Sequence, residues 1–365
     1  MPINNPNRMT RSVACAGEYF KNCDDQLIMV DIGSRGGVRP EWHPIKDVGL
    51  FIGFEPDEAE CEKYNRTSPR IRMFPVALDE TSGPKPFFTA ESPDCGGFRK
   101  TNEAFMRRFP NYINNKITGE VVIETSSFDQ WAQKQVHTHY DFIKVDTEGS
   151  ELRILRGARD SIERKKCLGV LTEVWIEPDV KQGSGYGLAA LDDYLRGCGF
   201  RMFDIEVSRY PVNALPMGDL IFSRSPSNPN QILADASPLR KVYGRVKTGD
   251  LLYFRDPIAE YSSDREACER FWDVDTLFRY LVLLDLYNYR DVALEVLAAF
   301  RKKFDQATVA RLVEALVPPS VVDNQMLRLS YEEYHRISME LFIKLGGCND
   351  PSLVSKLEVI PAKFD

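Results

Sequence analysis

Asp141-Phe142-Ile143-Lys144-Val145-Asp146-Thr147-Glu148-Gly149-Ser150-Glu151 decides how this chain folds, because it packs a strand, a turn and a helix start into one stretch. Phe142, Ile143 and Val145 form a short apolar run suited to a buried strand. Gly149 lets the backbone turn, and Leu152-Arg153-Ile154-Leu155 continues with helical spacing. Two acids, Asp146 and Glu148, therefore arrive at a strand's carboxyl end. In open α/β sheets ligands bind outside that end, so acids placed there face a ligand. Glu148 could equally cap the following helix, whose amino-terminal dipole favours an acid.

Working outward, the same strand-then-turn pattern recurs. Residues 27–32 form an apolar run containing Asp31 and leading into Gly33-Ser34-Arg35-Gly36-Gly37. Residues 50–54 lead to Glu55-Pro56-Asp57, with helical spacing through Ala59, Cys61 and Tyr64. Residues 71–76 lead to Ala77-Leu78-Asp79. Irregular chain follows to about 120, including Cys95-Gly96-Gly97-Phe98-Arg99-Lys100, and long insertions of this kind are commonly binding loops. Further strands are predicted at 142–146, 168–174, 200–205 and 250–254, with helices at 127–133, from Ser150, and at 188–196. Strands alternating with helices imply a mostly parallel sheet covered on both faces. Residues 1–26 are expected to be an N-terminal extension and 225–240 a loop.

Beyond Pro257 the texture changes. Apolar residues fall at helical spacing over 264–304 (Phe271, Trp272, Leu277, Leu281, Leu284, Leu294, Leu297), with Asn288 at the break. Two more helices are predicted at 306–317 and 331–346, so 258–365 is expected to be an α-helical domain. Trp272, Phe278, Tyr280, Tyr287 and Phe300 are more apolar bulk than a lone hairpin can bury. They must pack against the preceding α/β domain, a second copy of the chain or a partner, and a homodimer through these helices is the expected cover.

The chain has 365 residues, room for two domains, and a net charge of −7 that argues against nucleic acid as the main partner. No apolar run approaches the roughly 18 residues of a membrane span. The N-terminus lacks the apolar core of a signal peptide, which predicts a cytoplasmic protein. Eight scattered cysteines without a CxxC pair fit reduced thiols, and four histidines are too few for a histidine metal site. His137 and His139 precede their strand and are expected at the surface.

The turn after the first strand departs from the dinucleotide pattern G-x-G-x-x-G. Glu55 lies about 20 residues further on, where an acid suits the two hydroxyls of a ribose. A nucleoside without a pyrophosphate is the better match, and S-adenosyl-L-methionine is the leading candidate. The missing fingerprint also argues against a nicotinamide-dependent oxidoreductase.

In this order, Val30-Asp31-Ile32-Gly33, Gly53-Phe54-Glu55-Pro56-Asp57, Val76-Ala77-Leu78-Asp79, Phe142 through Glu151, and Leu155-Arg156-Gly157-Ala158 resemble the FkbM family of methyltransferases. The resemblance covers about 27–257. It implies an α/β fold of class I methyltransferase type, a Rossmann-like doubly wound sheet of seven strands with the last antiparallel. It further implies S-adenosylmethionine-dependent O-methylation of a sugar, glycan or natural-product hydroxyl. By the same resemblance Asp31, Gly33 and Ser34 serve the methionine end of the cofactor, Glu55 and Pro56 the ribose, and Ala77 and Leu78 the adenine edge. Asp146 belongs to the cofactor site and, with Glu148 and Glu173, to the catalytic acids. Asp146 and Glu148 could also hold a divalent cation, which two acids alone do not establish. Ser34-Arg35-Gly36-Gly37 replaces the family's usual Ala-Asn-x-Gly. The competing expectation is an inactive cofactor-binding scaffold acting through its helical domain.

Overall fold

The computed structural model describes residues 26–176, 187–210, 212, 245–317, 320–322, 325–327 and 329–344. The expected extension over 1–25 and the loop over 225–240 lie outside them. The chain forms two compact units. One contains Leu27–Arg39 and Gly49–Asp256, and the other contains Pro40–Val48 with the residues from Pro257 onward.

Among the described residues the first unit is built on ten strands: β1 (Leu27–Ile32), β2 (Gly49–Phe54), β3 (Ile71–Phe74), β4 (Ala77–Leu78), β5 (Gly83–Ala90), β6 (Ile117–Ser126), β7 (Phe142–Val145), β8 (Gly169–Trp175), β9 (Phe200–Tyr210) and β10 (Arg245–Arg255). Seven of them form one sheet in the order β3-β2-β1-β7-β8-β10-β9. Its first five strands are parallel, and β10 runs antiparallel to both β8 and β9. This is the doubly wound seven-stranded α/β sheet expected of a class I methyltransferase. β1, β2 and β7 are buried along their whole length, which is why they read as unbroken apolar runs rather than alternating ones.

Helices α1 (Glu58–Asn65), α2 (Phe128–Ala132), α3 (Glu151–Gly157) and α4 (Leu188–Gly197) follow strands of this unit. The main core joins Val30, Ile52, Ile143 and Val170 of the sheet to Trp131, Leu155 and Leu195 of the helices. Phe54 packs edge-on against Trp131 with ring centroids 4.8 Å apart. Burying each such side chain contributes about 1.5–3 kcal/mol. A second sheet has the order β4-β6-β5, and its strand β5 lies in the stretch expected to be irregular. Gly83, Pro84 and Pro86 hide the strand pattern of β5, and β5 tolerates the prolines because it is an edge strand. Asp79, fully buried after β4, receives both Nε and Nη2 of Arg153 on α3 at 2.7 and 2.6 Å and Lys85 of β5 at 2.6 Å. One carboxylate thus ties the small sheet to a helix of the large one.

The second unit contains α5 (Pro257–Ser263), α6 (Arg265–Phe271), α7 (Val274–Leu286), α8 (Arg290–Ala299), α9 (Gln306–Leu316) and α10 (Tyr331–Lys344). Asp273 and Asp305 cap α7 and α9 through the N–H groups of Thr276 and Thr308. Asn288, with φ of 68°, ends the first helix of the pair where the break was expected. Every residue of α7 from Thr276 to Leu286 is buried, the signature of a helix at the centre of its unit. Of its buried charges, Asp285 holds Arg290 at 2.6 Å and Arg279 reaches the Thr276 hydroxyl at 3.2 Å. Trp272, Phe278, Tyr280, Tyr287 and Phe300 are all buried by the chain itself. Trp272 stacks edge-on against Tyr280, and Phe278 against Phe304. These five side chains are therefore covered within the chain.

Among the described residues, no helix is long and apolar enough to cross a membrane. The five described cysteines, Cys61, Cys95, Cys167, Cys198 and Cys268, carry free thiols.

Candidate active site

The parallel strands bring their carboxyl ends together, and the sequence-predicted acids gather there. Asp31 on β1 and Lys144 on β7 are register partners, both buried, with Lys144 Nζ 2.9 Å from Asp31 Oδ1. The same ammonium lies 3.5 Å from Asp146 Oδ2 and donates to the carbonyl of Gly33 at 3.2 Å. Burial works against the charged lysine, but Asp31 and Asp146 outweigh it and hold Lys144 above its ordinary range. Lys144, read in the sequence only as part of a strand, thus pins three pieces of the site.

The glycine turn approaches β2 and β7 closely. Gly33 has φ of +81°, and a Cβ there would stand 1.9 Å from the carbonyl oxygen of Asp146. No other residue type fits that position. The N–H groups of Gly33 and Ser34 both donate to Phe54 O, at 3.0 and 3.1 Å, which fixes the turn beside the residue that follows, Glu55. Ser34 is buried with its hydroxyl toward Met73 Sδ. Glu55 is buried, and Oε1 accepts the Asp57 N–H at 3.1 Å. Burial raises its carboxyl above the ordinary range, against the pull of that N–H and of Arg35. Pro56 is exposed and Asp57 caps α1.

Arg35 was not singled out as a site residue. Its guanidinium lies 3.6 Å from Glu55 Oε1, 2.9 Å from Asp57 Oδ2 and 3.8 Å from Asp94 Oδ1. The only sequence signal was its departure from the usual turn. Ala77 and Leu78 are buried as β4 of the smaller sheet, paired with Thr125 and Ser126 of β6. Asp79, quoted only as part of a motif, is the structural ion-pair centre described above.

Beyond β7 the backbone is strained. Glu148 has φ of 59° and Gly149 of 104°; a left-handed glutamate is uncommon, and such residues cluster at functional sites. The turn is closed by Glu151, whose Oε1 accepts the N–H groups of Thr147 at 3.0 Å and Gly149 at 2.9 Å. Burial pushes Glu151 up to about 6. Glu173 lies on β8 opposite Asp250 of β10. Its Oε2 is shut off from solvent and has no hydrogen-bond partner among the described residues. Burial first, then the negative charges of Asp146, Glu148, Glu151 and Asp250, drive its carboxyl well above the ordinary range. Buried beside four other acids, Glu173 is a strong proton acceptor whenever it is ionised.

The loop after β5 lies over this edge. Gly97 pairs with Phe88 in both directions, and a Cβ on Gly97 would come 3.3 Å from Thr147 O and 3.4 Å from Glu148 Cβ. Further along, Phe109 and Trp175 bracket the buried ammonium of Lys247, 5.0 and 5.2 Å from the ring centroids. His139, expected at the surface, is instead buried, with Nε2 3.3 Å from Asp141 Oδ2 at the opposite, amino end of β7. The correction has a local cause: Asp141 needs a partner inside the fold. Among the described residues no group of three or more His, Cys, Asp or Glu is placed to hold a metal ion.

Residues 40–202 match the family model of the methyltransferase FkbM domain. The chain is also similar to the 2-O-methyltransferase NoeI of Sinorhizobium fredii, with 21% identity over 149 residues, 39% of this chain and 61% of that protein. It thus spans about three fifths of that relative's length. Solved structures that align with it include the magnesium protoporphyrin IX methyltransferase ChlM from Synechocystis with bound SAM, at 8% identity over 69% of this chain and 80% of that one, TM-score 0.31. Another is a protein titled a sarcosine dimethylglycine methyltransferase from Galdieria sulphuraria, at 11% identity over 69% and 85% of the two chains, TM-score 0.33.

Proposed function

We propose that this chain, a member of the FkbM methyltransferase family, transfers a methyl group from S-adenosyl-L-methionine to a hydroxyl oxygen of a sugar, glycan or natural product. The observation that carries this is the pairing of Glu55 with the glycine turn. A buried strand-end acid stands beside a cradle at Gly33 that a single Cβ would fill. That arrangement fits a nucleoside held edge-on at its ribose, with backbone brought close to the remainder. The printed activity of NoeI, a 2-O-methyltransferase, supports a hydroxyl acceptor.

In this reading Glu55, with Pro56 beside it, holds the ribose. The buried Asp31–Lys144 pair keeps Gly33 and Ser34 in place at the methionine end, and Ala77 and Leu78 border the adenine. S-adenosylmethionine supplies an electrophilic methyl on a sulfonium. Catalysis by the protein is then mostly placement of the acceptor oxygen in line, at about 3–3.5 Å. Glu173 removes the hydroxyl proton, while Asp146 and Glu148 orient the acceptor. The loop carrying Phe98, Arg99, Lys100, Asn102 and Phe105 offers rings and donors suited to a sugar. A cytoplasmic setting is supported by the free thiols.

Calorimetric titration with S-adenosylmethionine, followed by transfer of a labelled methyl to a panel of sugars and glycans, tests the proposal. Charge-assisted bonds to a diol are worth about 1.5–3 kcal/mol, so Glu55→Ala should weaken binding about ten- to a hundredfold. Unchanged affinity in the folded variant would overturn the ribose assignment. Tight binding by the parent with no transfer to any hydroxyl acceptor would favour the inactive scaffold.

A further inference from the structure

Glu55 can hold a ribose diol by charge-assisted bonds only while its carboxylate is ionised, and most of its surroundings oppose that. The residue is buried. Asp57 follows two positions on, and Glu60 of α1 adds a second negative charge. The Cys61 thiol, also on α1, brings no positive charge and donates to the Glu55 carbonyl at 3.2 Å. Burial and the two acids raise the Glu55 carboxyl, while the Asp57 N–H and Arg35 lower it. Among the described residues, Arg35 is the one cation within ion-pair distance of Glu55.

The glycine turn keeps that guanidinium in place. Its start is fixed by the Gly33 and Ser34 N–H groups on Phe54 O, the residue before Glu55. Its end is fixed by the Gly36 N–H on Glu60 Oε1 at 3.2 Å and by Gly37, where a Cβ would run into the ring of Tyr64. Between the two, Arg35 Nη2 donates to Asp57 Oδ2 at 2.9 Å and lies 3.6 Å from Glu55 Oε1. Its Nε lies 3.8 Å from Asp94 Oδ1 in the loop after β5. Asp57 is locked in turn, since its Oδ1 accepts the N–H groups of Ala59 and Glu60 at the start of α1. The shortest bond of Arg35 thus goes to an acid with a structural task, and its charge is shared with the acid that faces the cofactor.

We propose that Arg35 is a positioning residue for the methyl donor: held by Asp57 and Asp94, it keeps the Glu55 carboxylate charged, and so competent for the ribose diol, on the acid side of neutral pH. This rests on the ribose role proposed above for Glu55. A buried carboxyl loses its charge as pH falls through its folded range. Removing a neighbouring cation moves that range further up, so the loss begins at a higher pH. The arginine that sets this turn apart from the family's usual one then supplies the charge that the buried acid lacks.

The test uses the full chain, with calorimetric affinity for S-adenosylhomocysteine measured for the parent, Arg35→Gln and Arg35→Lys. Arg35→Gln should bind about three- to tenfold more weakly than the parent at about pH 5.5, and within about twofold of it at about pH 8.5. A misplaced turn would instead cost the same at every pH. Such a uniform loss, a parent-like profile, or tighter binding would each overturn the proposal. Arg35→Lys keeps the charge and should recover most of the acid-side loss; no recovery would count against the proposal in the same way. Carboxyl NMR titration of Glu55, assigned against Glu55→Gln, reads the charge without any ligand. Its midpoint should lie higher in Arg35→Gln than in the parent, and an unmoved midpoint would overturn the role of Arg35. A parent that binds no S-adenosylhomocysteine would sink the ribose reading instead, and the NMR titration would still decide whether Arg35 holds Glu55 charged.

Discussion

At the amino end of the central strands Asp141 is wholly buried and firmly engaged. Its Oδ2 accepts the Ile28 N–H at 2.8 Å and lies 3.3 Å from His139 Nε2. Close by, the buried Arg255 gives its donors to the carbonyls of Cys167 and Ile162. At the carboxyl end of the same strands Glu173 has a buried oxygen with no partner among the described residues, four other acids press on it, and Glu148 sits in a left-handed backbone. Both ends bury charge. The amino end matches it and so closes the fold, while the carboxyl end matches part of it, at Asp31 and Lys144, and leaves Glu173 among four other acids at a cost in stability. Uncompensated charge and backbone strain persist where something other than folding uses them. The contrast separates structural from functional acids more sharply than residue type does, since both ends use Asp and Glu.

Three substitutions bear on that contrast. The largest expected effect is at the matched end. Asp141→Ala strands the Ile28 N–H and removes the partner of His139, and should cost about 3 kcal/mol of stability in urea unfolding. Cofactor affinity of the folded fraction should stay as in the parent, and a loss of affinity without a loss of stability would break the comparison. Next comes Glu173→Gln. Turnover should fall roughly 100-fold, about 2.7 kcal/mol in the barrier, while the melting temperature stays level or rises because a penalised carboxyl is gone. Parent turnover itself should fall as pH drops through the raised range of Glu173. A variant that is both active and less stable would place Glu173 with the structural acids.

The smallest effect concerns Glu151, which is pushed from 4.5 up to about 6 by burial. A group raised in the folded state stabilises fully below its unfolded value, and that contribution is lost as pH rises through the folded one. Between about pH 4.5 and pH 7 the parent should therefore lose about 2 kcal/mol relative to Glu151→Gln. Urea unfolding at both pH values reads this directly. A gap between the two proteins that does not change with pH would show that Glu151 is matched after all.

Much of the large sheet was legible because its strands are buried on both faces and read as plain apolar runs, as in 27–32, 142–146 and 168–174. The described helices after Pro257 were legible from their spacing, and the break at Asn288 from turn chemistry. Glu148 could be named in advance because strand ends are where sequence and chemistry coincide, and Glu173 only through the family resemblance, which set it after a strand that in fact runs on to Trp175. The losses have physical causes. Prolines in β5 erased its alternation. The burial of His139 depended on Asp141, a partner that periodicity does not reveal. Lys144 looked like an ordinary strand residue, although its charge requires the Asp31 across the register. The segment over 40–48 is too short and too rich in proline to show any period, so its membership of the helical unit could only be seen in three dimensions.

The bond between Trp42 and Tyr287 joins residues 245 positions apart. During synthesis at about 5–20 residues per second, the ribosome adds that interval in about 12–50 s. For that time the strands on either side of Trp42 exist without the tyrosine that will receive it, and a tryptophan destined for a buried site faces solvent. The nascent chain therefore offers chaperones an aromatic handle at Trp42, which is withdrawn only once α7 and Tyr287 have emerged.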